Sequence, residues 1–428
     1  MKRLILVVAT LVVSVNASYS QPSTDLVARI NETAALLNAN PGGYDTTFSP
    51  DFIAQVPPSQ MTGICTDYFD KYGGIVRWSY LDSSKTSSAK VRMVLSKGFS
   101  VDMHIGIEET GNHLINSLLF GPGTPQLKSL DEVATKMSKL RGTTGFLVAK
   151  LSMTEIEPIT KWNPDTALAL GSAFKLYVLA TLLKEINSGM RHWNDVIYLD
   201  SASRAFPSGQ MHAWPVGSPV TLATAATLMI SISDNTATDL LIHTLGRENI
   251  EAMLREAGNS HASRDIPFLT TLEMFKLKSK DLRLGKQYVQ IPASQRSAFL
   301  DNDVAKFPRD SVGFGEGVAM IDKIEWFASP NDIANVLKYI RDHSTTGEGH
   351  RVRDILAVNP GLPIDKSKWE YIGYKGGSEP GVLNLSYLLR AKSNGDWYVI
   401  TGTWNDTEAP VNEANFEGYI QRATELAP

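Results

Sequence analysis

The sequence predicts an α+β protein of two domains, a small helix-then-sheet unit followed by a larger antiparallel sheet flanked by a helical lobe. Three patterns carry this. After two amphipathic stretches, the apolar period shortens toward two between Ile75 and Phe120, which marks strands. In the remaining chain, strand-like runs come early and late, with helical spacing between them. The break Gly121-Pro122-Gly123 separates the two patterns. At 428 residues the chain is long enough for each domain to bury its own core.

In order, Lys2 and Arg3 precede the apolar run Leu4 to Val15, and small residues follow at Ala17, Ser18 and Ser20. Residues 1–20 therefore read as a cleaved signal peptide. The run is shorter than the about 20 apolar residues of a membrane span, so no stable membrane insertion is expected after cleavage. A periplasmic or secreted destination follows. The single cysteine, Cys65, excludes an intramolecular disulfide.

Residues 21–124 form the first expected domain. Leu26, Ile30, Ala34, Leu36 and Leu37 place a helix over 24–38, and a second runs from Gln60 to Tyr72 after Pro57-Pro58. Short runs at Ile75 to Tyr80, Lys90 to Leu95, Ser100 to Ile107 and Leu114 to Phe120 predict an antiparallel meander. Residues 125–428 form the second. A helix over Leu130 to Leu140 leads into strands Gly145 to Ser152 and Glu155 to Trp162, and a long helical middle follows. Strands return at Tyr371 to Lys375, Val382 to Ala391 and Trp397 to Trp404, the last two joined through the hairpin signal Asn394-Gly395. A helix from Glu413 to Leu426 closes the chain.

The formal charge of −4 supplies no basic field, and no Lys/Arg run is interleaved with aromatics, so nucleic acid is not an expected partner. The eight histidines show no zinc spacing such as His-Glu-x-x-His, so neither a metal nor another cofactor is expected. The nucleophile-elbow pattern Gly-x-Ser-x-Gly is missed at Gly376 to Pro380, where proline takes the last position. His212 reads as a solvent-exposed loop histidine.

Three clusters carry chemistry. In Gly171-Ser172-Ala173-Phe174-Lys175, an apolar helical run begins at Leu176, which puts Ser172 at a helix N-terminus and Lys175 one turn up on the same face. A lysine pushed toward neutral amine can take the proton of a serine hydroxyl, and free N–H groups at the helix start suit an oxyanion. Serine is also a common N-cap, and Ser87 to Lys90 repeats the spacing in a polar turn, so the motif alone decides nothing. The second cluster, Ser233-Asp234-Asn235, lies between two apolar helical stretches and reads locally as a helix end running into an N-cap. The third, Tyr374-Lys375-Gly376-Gly377-Ser378, lies on a returning strand, where paired glycines permit close approach of backbone or ligand. Glu379-Pro380-Gly381 then reads as a turn.

In this order the clusters match Ser-x-x-Lys, Ser-Asp-Asn and Lys-Thr-Gly, and the chain resembles the superfamily of serine β-lactamases and penicillin-recognising enzymes, class A-like, over Leu130 to Leu426. The first unit resembles the NTF2-like cone of steroid isomerases and polyketide cyclases in element order alone. Together the two resemble the two-domain β-lactamase-like hydrolase of clavulanic acid biosynthesis and its relatives. The resemblance implies an acyl-enzyme on Ser172, with Lys175 as base and Ser233 relaying a proton to the leaving group. It also implies that Asn235 bonds the substrate amide and Lys375 adds positive charge near the substrate carboxylate. Gly377 and Ser378 would contact the substrate, Ser378 giving its N–H as second oxyanion donor beside Ser172. The substrate would be a small molecule, a β-lactam or a related ester or amide. A non-hydrolytic β-lactam-capturing or sensing protein and a cell-wall D,D-peptidase remain alternatives. In the cone, Asp67, Asp70, Asp82, Asp102, His104 and Glu108 are the available acid-base groups; none falls into a diagnostic spacing, and a surface or structural role is expected for each, Asp102 being an interior acid only if the cone were the working site.

Two departures stand out. Gly376 replaces the threonine of Lys-Thr-Gly, removing a hydroxyl that helps bind a substrate carboxylate. The deacylating glutamate of Glu-x-x-Leu-Asn is absent from the segment 259–320, whose only glutamates are Glu273 and Glu316. That segment is expected to form a lid beside the site.

Overall fold

The computed structural model describes residues 23–38, 43–82, 85–313, 315, 317–345 and 347–428. The expected signal peptide lies outside them, as does Glu316. The chain divides into two compact units between Gln126 and Leu127.

In the first unit, helices α1 (Thr24–Leu37) and α2 (Pro58–Tyr72) precede strands β1 (Ile75–Asp82), β2 (Ser88–Leu95), β3 (Phe99–Ile107) and β4 (Ile115–Pro125), which pair antiparallel in sequence order. Ser23 caps α1 by accepting the Leu26 N–H, and Leu26 and Ile30 are fully buried. Val91 and Met93 of β2 and Met103 and Ile105 of β3 join them in one apolar core. Because strand side chains alternate, Asp102 falls on the opposite side of β3 from Val101 and Met103. There it pairs with Arg92 (2.7 Å) and Lys90 (3.7 Å), a structural role of the kind expected of it, and not the interior acid of a working cone. Asp67 pairs with Lys71 at the surface (2.9 Å), and His104 is exposed. Glu108 accepts the Leu114 N–H. Strand β4 also runs through Gly121-Pro122-Gly123, with Val101 opposite Gly123. A Cβ on Gly123 would stand 2.3 Å from the Tyr72 ring, so this glycine serves close packing rather than a break.

In the second unit, helix α3 (Leu130–Met137) leads into β5 (Thr143–Leu151) and β6 (Ile156–Trp162), and β7 (Trp369–Glu379), β8 (Val382–Ala391) and β9 (Trp397–Asn405) return late. The five form one antiparallel sheet in the order β7-β8-β9-β5-β6. Apolar groups cover both of its faces. Phe146, Val148, Tyr387 and Ile400 pack against α3 and the last helix, α8 (Glu413–Leu426). Leu147, Ala149, Leu388 and Val399 face the helical lobe, which includes α4 (Lys175–Asn187), α5 (Leu222–Ser231), α6 (Asn235–Leu245) and α7 (Pro330–His343). Helix α4 is apolar nearly all round and buried accordingly, which makes it the axis of the lobe. None of the described helices is long and apolar enough to cross a membrane.

The segment expected as a lid is packed into this core. Phe268, Leu269, Leu277, Leu284, Tyr288, Leu300 and Val304 are all buried in it, and Glu273 completes a capping box with Thr270 and bonds Arg247 at 2.7 Å. Enough apolar side chains face inward to hold the segment down, and among its described residues only Phe275 lines the cleft described next.

Candidate active site

The first cluster does not open directly as an α-helix. Gly171–Phe174 form a single 3₁₀ turn that continues into α4 at Lys175. Gly171 takes φ +51°, a left-handed conformation that suits glycine, so the chain turns sharply just before Ser172. Phe174 stacks on Trp326 (centroids 3.6 Å apart) and anchors the turn in the core. Ser172 is left half-buried at the cleft.

Lys175 is fully buried, and its partners lie around the second cluster. Its Nζ donates to the Ser233 carbonyl (2.7 Å) and to Asn235 Oδ1 (2.8 Å), and lies 3.0 Å from Ser233 Oγ. Among the described residues no hydrogen bond joins it directly to Ser172. Lys375, also buried, donates to Ser233 Oγ (3.2 Å) and to the Gly376 carbonyl (2.5 Å). These contacts fix a direction. The two carbonyl-type oxygens only accept, so Lys175 must donate to both. Ser233 Oγ can accept from both lysines, so a charged Lys175 satisfies all three contacts as donor, and a neutral one satisfies them when the Ser233 proton points at its lone pair. Burial and the neighbouring Lys375 charge hold Lys175 well below the usual lysine range, and burial pushes Lys375 down to about 7.

The loop carrying Ser233 is rigidly held. Ser233 has φ +57°, uncommon for a residue with a side chain. Asp234 Oδ1 caps α6 at the Ala237 N–H (2.9 Å), while its Oδ2 accepts from Gln210 and Met211 (2.7 and 2.9 Å). Asp234 is thus the architectural member of its triplet. Nearby, Asp239 accepts from the Thr271 and Leu272 backbones, and burial pushes its carboxyl up to about 7.

The third cluster completes the cleft through contact with the nucleophile's turn. A Cβ on Gly377 would stand 2.2 Å from the Leu170 carbonyl and 2.4 Å from Ser172 N, and one on Gly171 2.9 Å from Ser378 N. Edge strand β7 therefore lies against the turn backbone to backbone, and the N–H groups of Ser172 and Ser378 come beside one another. Behind it, Asn384, Ser386, Thr401 and Thr403 are fully buried and bonded to one another at 2.8 Å, a satisfied polar floor. The cleft has a volume of about 420 Å³, and Ser172, Ser233, Asn235, Lys375, Gly377 and Ser378 all line it.

The sequence did not single out Tyr374 as a site group. Its hydroxyl lies 2.1 Å from where a Cβ on Gly376 would stand, and it lines the same cleft. Glu413 and Glu417 of α8 line it too. His212 is half-buried rather than exposed: Arg204 bonds its carbonyl, and its Nδ1 is buried without a partner among the described residues. It does not line the cleft. The contact of Ser203 Oγ with His243 Nδ1 (2.9 Å) cannot attack a substrate, because Ser203 is fully buried. Among the described residues no group of three or more His, Cys, Asp or Glu is placed to hold a metal ion.

A family model described as the beta-lactamase enzyme family matches residues 128–360. No curated protein sequence matches the chain. Among solved structures, a beta-lactamase from Sphaerobacter thermophilus DSM 20745 is 20% identical, with 70% of this chain and 97% of that one covered and a TM-score of 0.49. The structure of PBP-A is 18% identical over 69% and 95% of the two chains, with a TM-score of 0.46. A beta-lactamase from Francisella tularensis is 14% identical over 69% and 98%, with a TM-score of 0.48.

Proposed function

The chain belongs to the beta-lactamase enzyme family, and we propose that within it this protein is an exported serine hydrolase that forms an acyl-enzyme on Ser172. The carrying observation is the convergence of Lys175, Ser233 and Lys375 beside the turn of Ser172. In this reading Lys175, as neutral amine, takes the Ser172 proton while Oγ attacks the carbonyl carbon of a β-lactam or a related ester or amide. The N–H groups of Ser172 and Ser378 receive the oxyanion. Ser233 passes a proton from Lys175 to the leaving group, and Lys375 holds the Ser233 hydroxyl in that orientation. Asn235 bonds the substrate amide through the amide N–H₂ that its contact with Lys175 leaves free.

The leader Lys2 to Ser20 supports export to the periplasm or beyond, and the element order of residues 21–124 supports an NTF2-like first domain. That pairing is also the ground for the narrower likeness to the two-domain hydrolase of clavulanic acid biosynthesis.

The test is intact-protein mass spectrometry of the mature chain with a penicillin and with a chromogenic cephalosporin, beside Ser172→Ala, while ring opening is followed. A Ser172-dependent adduct that decays as product appears supports a hydrolase. A persistent adduct favours capture or sensing, and activity on purified muropeptides favours a cell-wall peptidase. No adduct and no turnover with either compound refutes action on β-lactams.

A further inference from the structure

An acyl-enzyme turns over only if something activates water, and the segment 259–320 lacks the glutamate of Glu-x-x-Leu-Asn. Side chains on β7 alternate, so Lys375, Gly377 and Glu379 share one face. Gly377 lies on the Ser172 turn. Lys375 is displaced to one side of that contact, and Glu379 to the other, each by about 6.8 Å of strand. On Glu379's side a buried charged cluster has formed from three separate segments. Lys278 Nζ donates to Glu379 Oε1 and reaches Glu325 Oε1 at 3.4 Å. Glu325 Oε2 accepts the N–H of Gly171, the residue before the nucleophile, at 3.2 Å, and that of Trp326 at 3.1 Å. The Lys278 and Glu325 side chains are 5% and 0% exposed, whereas that of Glu379 retains 15%.

The two carboxylates differ in what they can do. Glu325 has both oxygens engaged and no access to water, so it holds the turn. Glu379 bonds Lys278 and, when protonated, Glu325, and its side chain keeps 15% of its surface open to solvent, one residue from Ser378. Burial, the Glu325 charge and a hydrogen bond to Glu325 hold its carboxyl well above the usual carboxylate range, so that its ionised form is a stronger base, while Lys278 opposes that shift.

We propose that Glu379 is the general base of deacylation, with Lys278 and Glu325 as its positioning residues. The proposal rests on the acyl-enzyme reading above. The Glu379 carboxylate takes a proton from water as the water oxygen bonds to the acyl carbon. The carbonyl electron pair moves onto the oxygen held by Ser172 N–H and Ser378 N–H. When the intermediate collapses, the bond from that carbon to Ser172 Oγ breaks, and Oγ takes the proton back from Glu379 as the carboxylic acid product leaves.

The experiment follows the mature chain and Glu379→Gln in single turnover with a chromogenic cephalosporin and a nitrophenyl ester, quantifying acyl-Ser172 by mass. In Glu379→Gln, acylation stays within about threefold of wild type, while decay of the adduct slows by about 10²–10⁴, the range for loss of a general base. Hydroxylamine, a nucleophile that needs no base, releases the stalled adduct. Decay at the wild-type rate, or an adduct that hydroxylamine cannot release, overturns the proposal and leaves the acyl-enzyme reading standing. A wild-type adduct that never decays overturns it as well. Absence of any Ser172 adduct overturns that reading and the proposal with it. If Glu379→Gln does not fold, Glu379→Asp, whose carboxylate is one methylene short, decays more slowly by about tenfold or more; an unchanged decay rate there refutes the assignment.

Discussion

Replacing Gly377 with alanine tests whether contact between β7 and the nucleophile's turn builds the oxyanion site. Gly377 does not have a left-handed φ, so alanine brings no backbone penalty, and the whole effect comes from one methyl group. That methyl would stand 2.2 Å from the Leu170 carbonyl, 2.4 Å from Ser172 N and 2.6 Å from Ala173 N, all of them backbone atoms that no rotamer change can clear. Strand and turn must separate by roughly 1 Å, and a misplacement of that size costs on the order of 10²-fold in rate. If one of the two N–H donors is lost outright, the cost is on the order of 10²–10³. The overpacking itself destabilises by about 1–3 kcal/mol, which a second unit of this size withstands. Stopped-flow acylation with a chromogenic cephalosporin, beside a urea titration, measures both. The expected result is acylation slowed by about 10²–10³ in a protein that still unfolds cooperatively. A folded Gly377→Ala acylating at the wild-type rate would refute the reasoning, because Ser378 N–H could not then depend on this contact.

Three further outcomes follow from the same geometry. Lys175→Met fills the buried space without an amine and lowers acylation by about 10²–10⁴, measured by intact mass, while the thermal midpoint holds or rises. Asp234→Ala loses the cap of α6 and leaves the buried Met211 N–H without its acceptor, for about 2–4 kcal/mol in a urea titration. Asp239 and Lys375 contribute opposite slopes to stability: from about pH 4 to 7 the folded state holds a proton on Asp239 that the unfolded state lacks, a contribution that falls with rising pH. From about 7 to 10 the unfolded state holds a proton that folded Lys375 lacks, a contribution that rises, each at about 1.4 kcal/mol per pH unit. Asp239→Asn flattens the lower limb and Lys375→Met reduces the upper one, read from urea midpoints between pH 4 and 10.

What the sequence made legible was local. The apolar helical run beginning at Leu176 foretold α4, and the hairpin signal Asn394-Gly395 foretold β8 and β9. The three clusters could be named because each is contiguous. Their mutual arrangement was less legible. Ser172 and Lys175 share a helix turn, yet the amine bonds Ser233 and Asn235, about sixty residues away, because burial leaves it no water and it must find acceptors. The cluster of Lys278, Glu325 and Glu379 was invisible for a stronger reason. Each of its members reads as an ordinary polar residue, Glu379 as part of a turn, and no spacing signal links positions that only the fold brings together. Asp102 read as a surface or structural group, and alternation along β3 sets it opposite the core-facing Val101 and Met103, paired with Arg92.

The change of threonine to Gly376 gains a different meaning from the structure. On the sequence it deletes a hydroxyl that helps bind a substrate carboxylate. In the fold, Tyr374 sends its phenol back along the strand, to 2.1 Å from where the missing Cβ would be, so a side chain at 376 and this pose of Tyr374 are mutually exclusive. Glycine is therefore the residue that admits the tyrosine hydroxyl. The replacement differs electrically, however. Burial, with Glu417 and Glu413 beside it, holds the phenol well above its usual range, so it stays a neutral donor. Those same two carboxylates line the cleft, and burial together with Glu413 raises Glu417 in turn. This end of the cleft thus joins a neutral donor to negative charge, where a substrate carboxylate would meet repulsion that Lys375, pushed down to about 7, only partly offsets near neutral pH. Lys375 ties this end to the proposed proton relay, because the same amine bonds the Ser233 hydroxyl at 3.2 Å, so in the proposed reaction a change in its charge acts on substrate binding and on acylation together.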